Sequence, residues 1–153
     1  MTIEQALQQQ TPFENIRSKT GVNLLFTASW YSTLLMRYLK PYGISWQQFN
    51  ILRILKGQNG KPAPLRLVTE RMIDQMSNTS RLIDKLVNKG LVARTVCPND
   101  RRKVDLLITA AGLEIVETAF ETIDLRMKKT FEHMTAEKLD ALNALMDDLR
   151  GEL

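Results

Sequence analysis

Residues 77–90 read SNTSRLIDKLVNKG, and residues 91–109 continue as LVARTVCPNDRRKVDLLIT. The first segment has leucine and isoleucine at helical spacing, Ser and Asn side chains that can cap its start, and Gly90 where a helix would end. The period changes in the second segment, because two runs rich in strand-forming residues, 91–96 and 104–108, flank a polar turn. The two segments together predict a helix followed by a β-hairpin.

Two short helices are predicted upstream of this segment. Ser45 and Gln48 have the spacing of a capping box and open the first helix. A loop rich in Gly and Pro, residues 57–64, separates it from a second helix, expected from Leu65 to about Gln75. The side chains expected to point inward from the second helix are Leu65, Val68, Met72 and Ile73. Three short helices followed by a two-stranded wing define a winged helix-turn-helix, which we assign to residues 45–109.

A long amphipathic helix is predicted before this unit. Thr11, Pro12 and Glu14 form a start signal, and apolar residues then recur at three- and four-residue steps through residues 11–40. Gly21 lowers the helix propensity locally. It is the place in this helix where a kink or break can occur.

Two further helices are predicted after the hairpin, within residues 110–150. Thr109 caps the first, which is expected to reach about His133, and Thr135 caps the second. The apolar stripes of these helices and of the N-terminal helix exceed what one small chain can cover, so a homodimer is expected. We therefore read residues 1–153 as one chain, mainly α with a small β wing, in which N- and C-terminal dimerisation helices flank the winged helix-turn-helix.

Composition limits the classes of function. Lys and Arg number 21 against 17 Asp and Glu, a net charge of +4, which suits an anionic partner. The single cysteine, Cys97, forms no internal disulfide and is read as structural or incidental; the single histidine, His133, has no companions for a metal site. The sequence lacks both a membrane-spanning apolar run and a signal-peptide start. We expect a cytoplasmic chain without metal or cofactor.

The predicted helix at 78–89 carries a polar face suited to DNA. Asn78, Arg81, Lys85 and Lys89 share this face, and hydroxyl groups lie at its start. Such donors can reach base edges in the major groove and can hold phosphates. The candidate DNA-binding residues of this helix are Ser77, Asn78, Thr79, Ser80, Arg81 and Lys85. The alternative interpretation is an ordinary solvated helix face.

The hairpin carries a second basic cluster. Cations on a thin projecting wing suit the narrow minor groove, where the negative potential is deepest. The candidate DNA-binding residues of the hairpin are Arg94, Asp100, Arg101, Arg102 and Lys103. Asp100 is expected to pair with Arg102 and fix the tip rather than to bind phosphate. A turn whose charges only aid solubility is the alternative.

Both motifs resemble those of the MarR family of bacterial transcriptional regulators. Residues 77–94 are similar to that family's recognition helix and first wing strand, and residues 99–112 are similar to its wing. The second segment has the Asp-x-Arg signature, and Leu106, Thr109 and Gly112 have the family's spacing. The resemblance implies homodimers with interlocked terminal helices that bind double-stranded DNA. Many members are repressors released by a small phenolic or lipophilic ligand.

An effector pocket near the dimer junction is a further hypothesis. Aromatic and methionine side chains on the long N-terminal helix and on the helix that Ser45 opens could line it. Such side chains more often belong to the core. The candidates are Trp30, Tyr31, Met36, Tyr38, Trp46 and Phe49.

Two other classes of function are alternatives to DNA binding. The first is a winged-helix protein whose basic face docks on an acidic protein. The second is an enzyme, which has little support because the sequence lacks a Gly-rich phosphate loop, a nucleophile elbow and a histidine base beside a nucleophile.

Overall fold

The architecture comes from a computed structural model that describes residues 1–97 and 100–151, without the side chains of residues 96, 97 and 100–103. The predicted class, mainly α with a small β wing, is confirmed. In chain order the described elements are α1 (Ile3–Ala6), α2 (Ile16–Leu39), a 3₁₀ turn (Lys40–Tyr42), α3 (Trp46–Lys56), β1 (Ala63–Pro64), α4 (Leu65–Glu70), α5 (Thr79–Asn88), β2 (Val92–Cys97), β3 (Asp100–Ile108), α6 (Ala110–Thr130) and α7 (Ala136–Arg150).

Local capping signals fix most helix ends where the sequence places them. In the Ser45–Gln48 capping box, each side chain accepts a hydrogen bond from the other residue's backbone N–H, at 3.0 and 3.2 Å. The Asn78 side chain accepts from the Arg81 N–H at 3.1 Å and begins α5. Gly90 adopts φ +70° after α5, and the Leu91 N–H then reaches back to the carbonyl of residue 86 at 3.0 Å. Thr109 and Thr135 cap α6 and α7 as predicted.

The three strands form an antiparallel sheet in the order β1-β3-β2. The hairpin is confirmed, but the predicted turn over residues 97–103 is wrong, because β3 already begins at Asp100. Pairing continues past a register shift between Val96 and Cys97, so Cys97 lies opposite Asp100. The short strand β1, inside the predicted 57–64 loop, pairs Ala63 with Leu106.

Several helix boundaries differ from the sequence expectation. Helix α2 begins at Ile16, not near Thr11, because the Asn15 side chain accepts the Ser18 N–H at 2.9 Å. The helix continues without a break through Gly21. Helix α1 was not predicted; a Thr2–Gln5 capping box begins it. Helix α6 ends at residue 130, three residues earlier than expected.

The predicted end of α4 is also wrong, and a tertiary contact is the reason. The helix ends at Glu70, and the Ile73 N–H donates to the side-chain oxygen of Asn50 at 2.9 Å rather than continuing the helical ladder. Ile73 was expected to point inward, but it is 73% exposed. Met72, by contrast, is 2% exposed and belongs to the core as predicted.

The hydrophobic core lies within the winged unit, and it leaves most side chains of the outer helices α2 and α7 uncovered. Its members come mainly from α3, α5, the sheet and the first half of α6. Helix α7 contains no buried residue, and Leu39 is the only one in α2. Large apolar side chains are exposed along these two helices: Leu24, Leu25, Phe26, Trp30, Met36, Leu142, Leu145 and Leu149. No helix in the described part of the chain is both long and apolar enough to cross a membrane.

Candidate nucleic-acid interface

The exposed side of α5 forms one wall of a shallow groove. We call it the α5 groove; its cavity volume is about 330 Å³. The groove is lined by Gln47, Ser77, Asn78, Arg81, Leu82 and Lys85. Four of the predicted DNA-binding residues therefore lie together: Ser77, Asn78, Arg81 and Lys85. Ser80 is exposed beside them but does not line the groove.

Thr79 corrects the sequence prediction. It was expected to offer its hydroxyl to DNA at the start of the helix, but it is only 5% exposed. Its hydroxyl donates to the Ser77 carbonyl at 3.5 Å, within the turn that precedes α5. Thr79 therefore serves the local structure, and its side chain is not available to a ligand in this groove.

Arg94 lies on β2 and is joined to α5. Its guanidinium makes an ion pair with the carboxylate of Asp84, and both side chains are about half exposed. An exposed ion pair of this kind adds little stability. It orients the arginine side chain and connects β2 of the wing to α5. If Arg94 contacts DNA, its guanidinium must either do so while still paired with Asp84 or break that ion pair.

The remaining wing candidates fall on residues of which little is described. The backbone of Asp100, Arg101, Arg102 and Lys103 belongs to β3. Their side chains, and the side chain of Cys97, lie outside the described residues. Among the residues that are described, no group of three or more His, Cys, Asp or Glu side chains could hold a metal ion.

Sequence reasoning missed Gln47, which lines the α5 groove, and Asp74, which shapes the turn before α5. Asp74 lies in the turn before α5, where its carboxylate accepts the Met76 N–H at 3.2 Å and its carbonyl accepts the Ser77 N–H at 3.1 Å. A hydrogen bond from the Ser77 side chain is the main reason that the pKa of Asp74 is lowered; partial burial opposes this, and the Gln47 side chain adds to the lowering. The carboxylate is therefore charged at neutral pH. An Asp three residues before a Ser is a recognisable turn signal.

A second cavity lies between α2, α3 and α6. We call it the aromatic cavity; its volume is about 240 Å³. It is lined by Tyr31, Ser32, Leu35, Trp46, Phe49, Asn50, Arg53, Ile73, Phe120 and Ile123. Tyr31, Trp46 and Phe49 were predicted to line such a pocket, and the structure brings these three together.

The other three predicted pocket residues do not line the aromatic cavity. Trp30 and Met36 are 43% and 52% exposed on another side of α2, and Tyr38 is also absent from the lining. A helix presents only some of its residues to one neighbour, and the aromatic content of α2 could not say which.

The aromatic cavity contains polar groups that the sequence did not indicate. The Arg53 guanidinium lies 5.6 Å from the centroid of the Phe120 ring, within the range of a cation–π contact. Asn50, which is 9% exposed, holds the backbone of Ile73. Because Asp74 is the next residue, the wall of this cavity is covalently continuous with the turn that begins α5.

A short polar helix exposed on a helix-turn-helix scaffold and followed by a β wing defines a winged helix-turn-helix DNA-binding protein. Comparison with known proteins identifies the family of this chain within that class. The family model described as MarR family matches residues 44–104. The multiple antibiotic resistance protein MarR of Escherichia coli is 31% identical over 115 residues, which are 74% of this chain and 78% of that protein.

Solved structures agree with this relationship. A MarR transcription factor from Planctomyces limnophilus is 27% identical with a TM-score of 0.67, over 88% of this chain and 98% of that one. The organohalide-sensing regulator RdhR-CbdbA1625, in its 2,4-dichlorophenol-bound form, has the same fold, with a TM-score of 0.82 at 19% identity over 93% and 86% of the two chains. The chain belongs to the MarR family of DNA-binding transcriptional regulators and is not an enzyme.

Proposed function

We propose that two copies of this chain bind a pseudo-palindromic operator in the cytoplasm and repress transcription until a small aromatic effector releases them. Each copy places α5 in the major groove and its wing in the adjacent minor groove. The observation that carries the proposal is the α5 groove, where Ser77, Asn78, Arg81 and Lys85 line one exposed surface. Family membership supports the same interpretation.

The chemistry of the α5 groove suits a DNA duplex. Arg81 and Lys85 are exposed cations one helical turn apart, and either can donate to the O6 and N7 atoms of guanine. The Asn78 oxygen is engaged by the Arg81 N–H, so only its amide N–H groups are free to donate. Asn78 therefore suits a phosphate or a single base acceptor better than two-point recognition of adenine. The wing cations Arg101 and Arg102 would add minor-groove contacts.

The open faces of the outer helices support a dimer. Leu142, Leu145 and Leu149 lie at three- and four-residue spacing on one side of α7 and are 41%, 66% and 58% exposed. Solvated stripes of this kind on terminal helices call for a partner, and a second copy carries the same stripes. Two-fold symmetry would then place equivalent half-sites about one helical turn apart on the duplex.

The aromatic cavity supports an effector that is small, aromatic and rich in hydrogen-bond acceptors. Its walls are mostly apolar, while Arg53 supplies a cation and Tyr31 a hydroxyl. It lies between the outer helices α2 and α6 and helix α3 of the winged unit, so an occupant would contact both parts of the chain. The phenol bound to RdhR-CbdbA1625 is of the same chemical class.

Replacement of Arg81 by alanine is expected to weaken operator binding by about 1–3 kcal/mol, because a base-reading or phosphate-binding cation is lost. Affinity is measured at several salt concentrations on a duplex recovered from a randomised library, with unrelated competitor DNA present. The logarithm of the wild-type affinity should fall linearly with the logarithm of salt concentration. Lys128→Ala removes the same charge from α6, outside the lining of the α5 groove, and is the control.

This experiment separates DNA binding from docking on an acidic protein. Binding that ignores sequence and is affected equally by the Arg81 and Lys128 substitutions would favour the docking alternative. Binding that survives competitor DNA and depends on Arg81 supports the regulator.

Addition of salicylate is expected to quench tryptophan fluorescence through Trp46, which lines the aromatic cavity, and not through Trp30, which does not. The Trp46→Phe variant should lose the response, and the Trp30→Phe variant should keep it. Arg53→Met should weaken the response, because it removes the cation that would pair with the carboxylate of salicylate. No change at millimolar salicylate, together with unaltered DNA affinity, would contradict this effector class.

A further inference from the structure

The α5 groove contains one side chain from outside the predicted recognition segment. Gln47 lies in the first turn of α3, 30 positions before Ser77 in the sequence, yet it lines the groove with Asn78, Arg81 and Lys85. It does not take part in the capping box, which uses Ser45 and Gln48. Its amide is therefore available for another function.

The backbone of Gln47 is fixed in the first turn of α3, because the Ser45–Gln48 capping box closes that turn. Its side chain is partly exposed. Gln47 therefore presents its amide to the groove from a fixed helical position.

We propose that Gln47 reads a base pair in the half-site that α5 contacts. This inference rests on the proposed function, since it requires α5 to enter the major groove. A glutamine amide offers two N–H donors and one carbonyl acceptor. One N–H and the carbonyl together match N7 and the N6 amino group of adenine.

The test compares base preferences rather than affinity alone. The wild type and Gln47→Ala are each equilibrated with a duplex library in which one half-site position at a time is varied. Gln47→Ala should reduce discrimination by roughly tenfold or more at one symmetry-related base pair in each half-site and leave the other positions unchanged.

Gln58→Ala is the matched control, because Gln58 is a partly buried glutamine just after α3 that donates to the Ile54 carbonyl and does not line the groove. It should leave every base preference as in the wild type. Gln47→Ala with wild-type preferences, or with a uniform loss of affinity at all positions, would overturn the inference while leaving the regulator function intact. Failure of the wild-type protein to select any sequence would instead overturn the proposed function on which the inference rests.

Discussion

Replacement of Leu145 by glutamate is expected to dissociate the dimer and to weaken operator binding by roughly a hundredfold or more. Leu145 is 66% exposed in one chain and lies between Leu142 and Leu149 on the open side of α7. A carboxylate placed in a buried interface would lose its hydration without gaining a partner. A monomer binds one half-site only. It therefore loses the high effective concentration that a dimer has for the second half-site once the first is bound.

Light scattering and duplex binding measure the two effects on the same samples. Asn143→Glu is the control, because it places the same charge on the same helix but on another side from the leucine stripe. We expect the control to remain dimeric and to bind the operator. A Leu145→Glu protein that remains dimeric with full affinity would show that α7 is not part of the interface.

Gly112→Ala is expected to destabilise the fold by about 3 kcal/mol, at the upper end of the usual overpacking range. Gly112 lies in the first turn of α6, and a Cβ atom there would lie 2.2 Å from the Leu91 carbonyl oxygen and 2.9 Å from the Ile108 side chain. The oxygen cannot easily move, because it accepts the Thr109 N–H at 3.1 Å at the point where the sheet meets α6.

Urea unfolding at fixed protein concentration measures this effect, since the stability of a dimer depends on concentration. Gly21→Ala is the contrasting substitution, because nothing lies within 4 Å of the added Cβ and α2 is continuous there. It should stabilise the protein by roughly 0.5–1 kcal/mol, the difference between Gly and Ala inside a helix. Equal unfolding midpoints for the two variants would contradict the close approach at Gly112.

The elements that the sequence predicted well are those whose signals are local. The Ser45–Gln48 box, the Asn78 cap, Gly90 and the Thr109 cap each act within a few residues. Where two local signals compete, sequence alone could not choose between them. Thr11 and Asn15 are both good caps, and Asn15 begins the helix.

Features that depend on distant residues were not predictable in this way. Helix α4 ends early because Asn50, more than 20 positions upstream, accepts the Ile73 N–H. Thr79 is the same type of residue as its exposed neighbour Ser80, and only the packing of α5 decides that Thr79 is buried. The proximity of Gln47 to Ser77 likewise follows from the crossing of two helices.

The proposed function requires the chain to recognise a symmetric duplex sequence as a dimer. Selection from a randomised duplex library, followed by sequencing of the bound fraction, tests it most directly. The expected product is a pseudo-palindrome whose half-sites are centred about 10 base pairs apart, with enrichment lost for both Arg81→Ala and Leu145→Glu. Recovery of unenriched sequences by the wild-type protein, with binding indifferent to both substitutions, would contradict it.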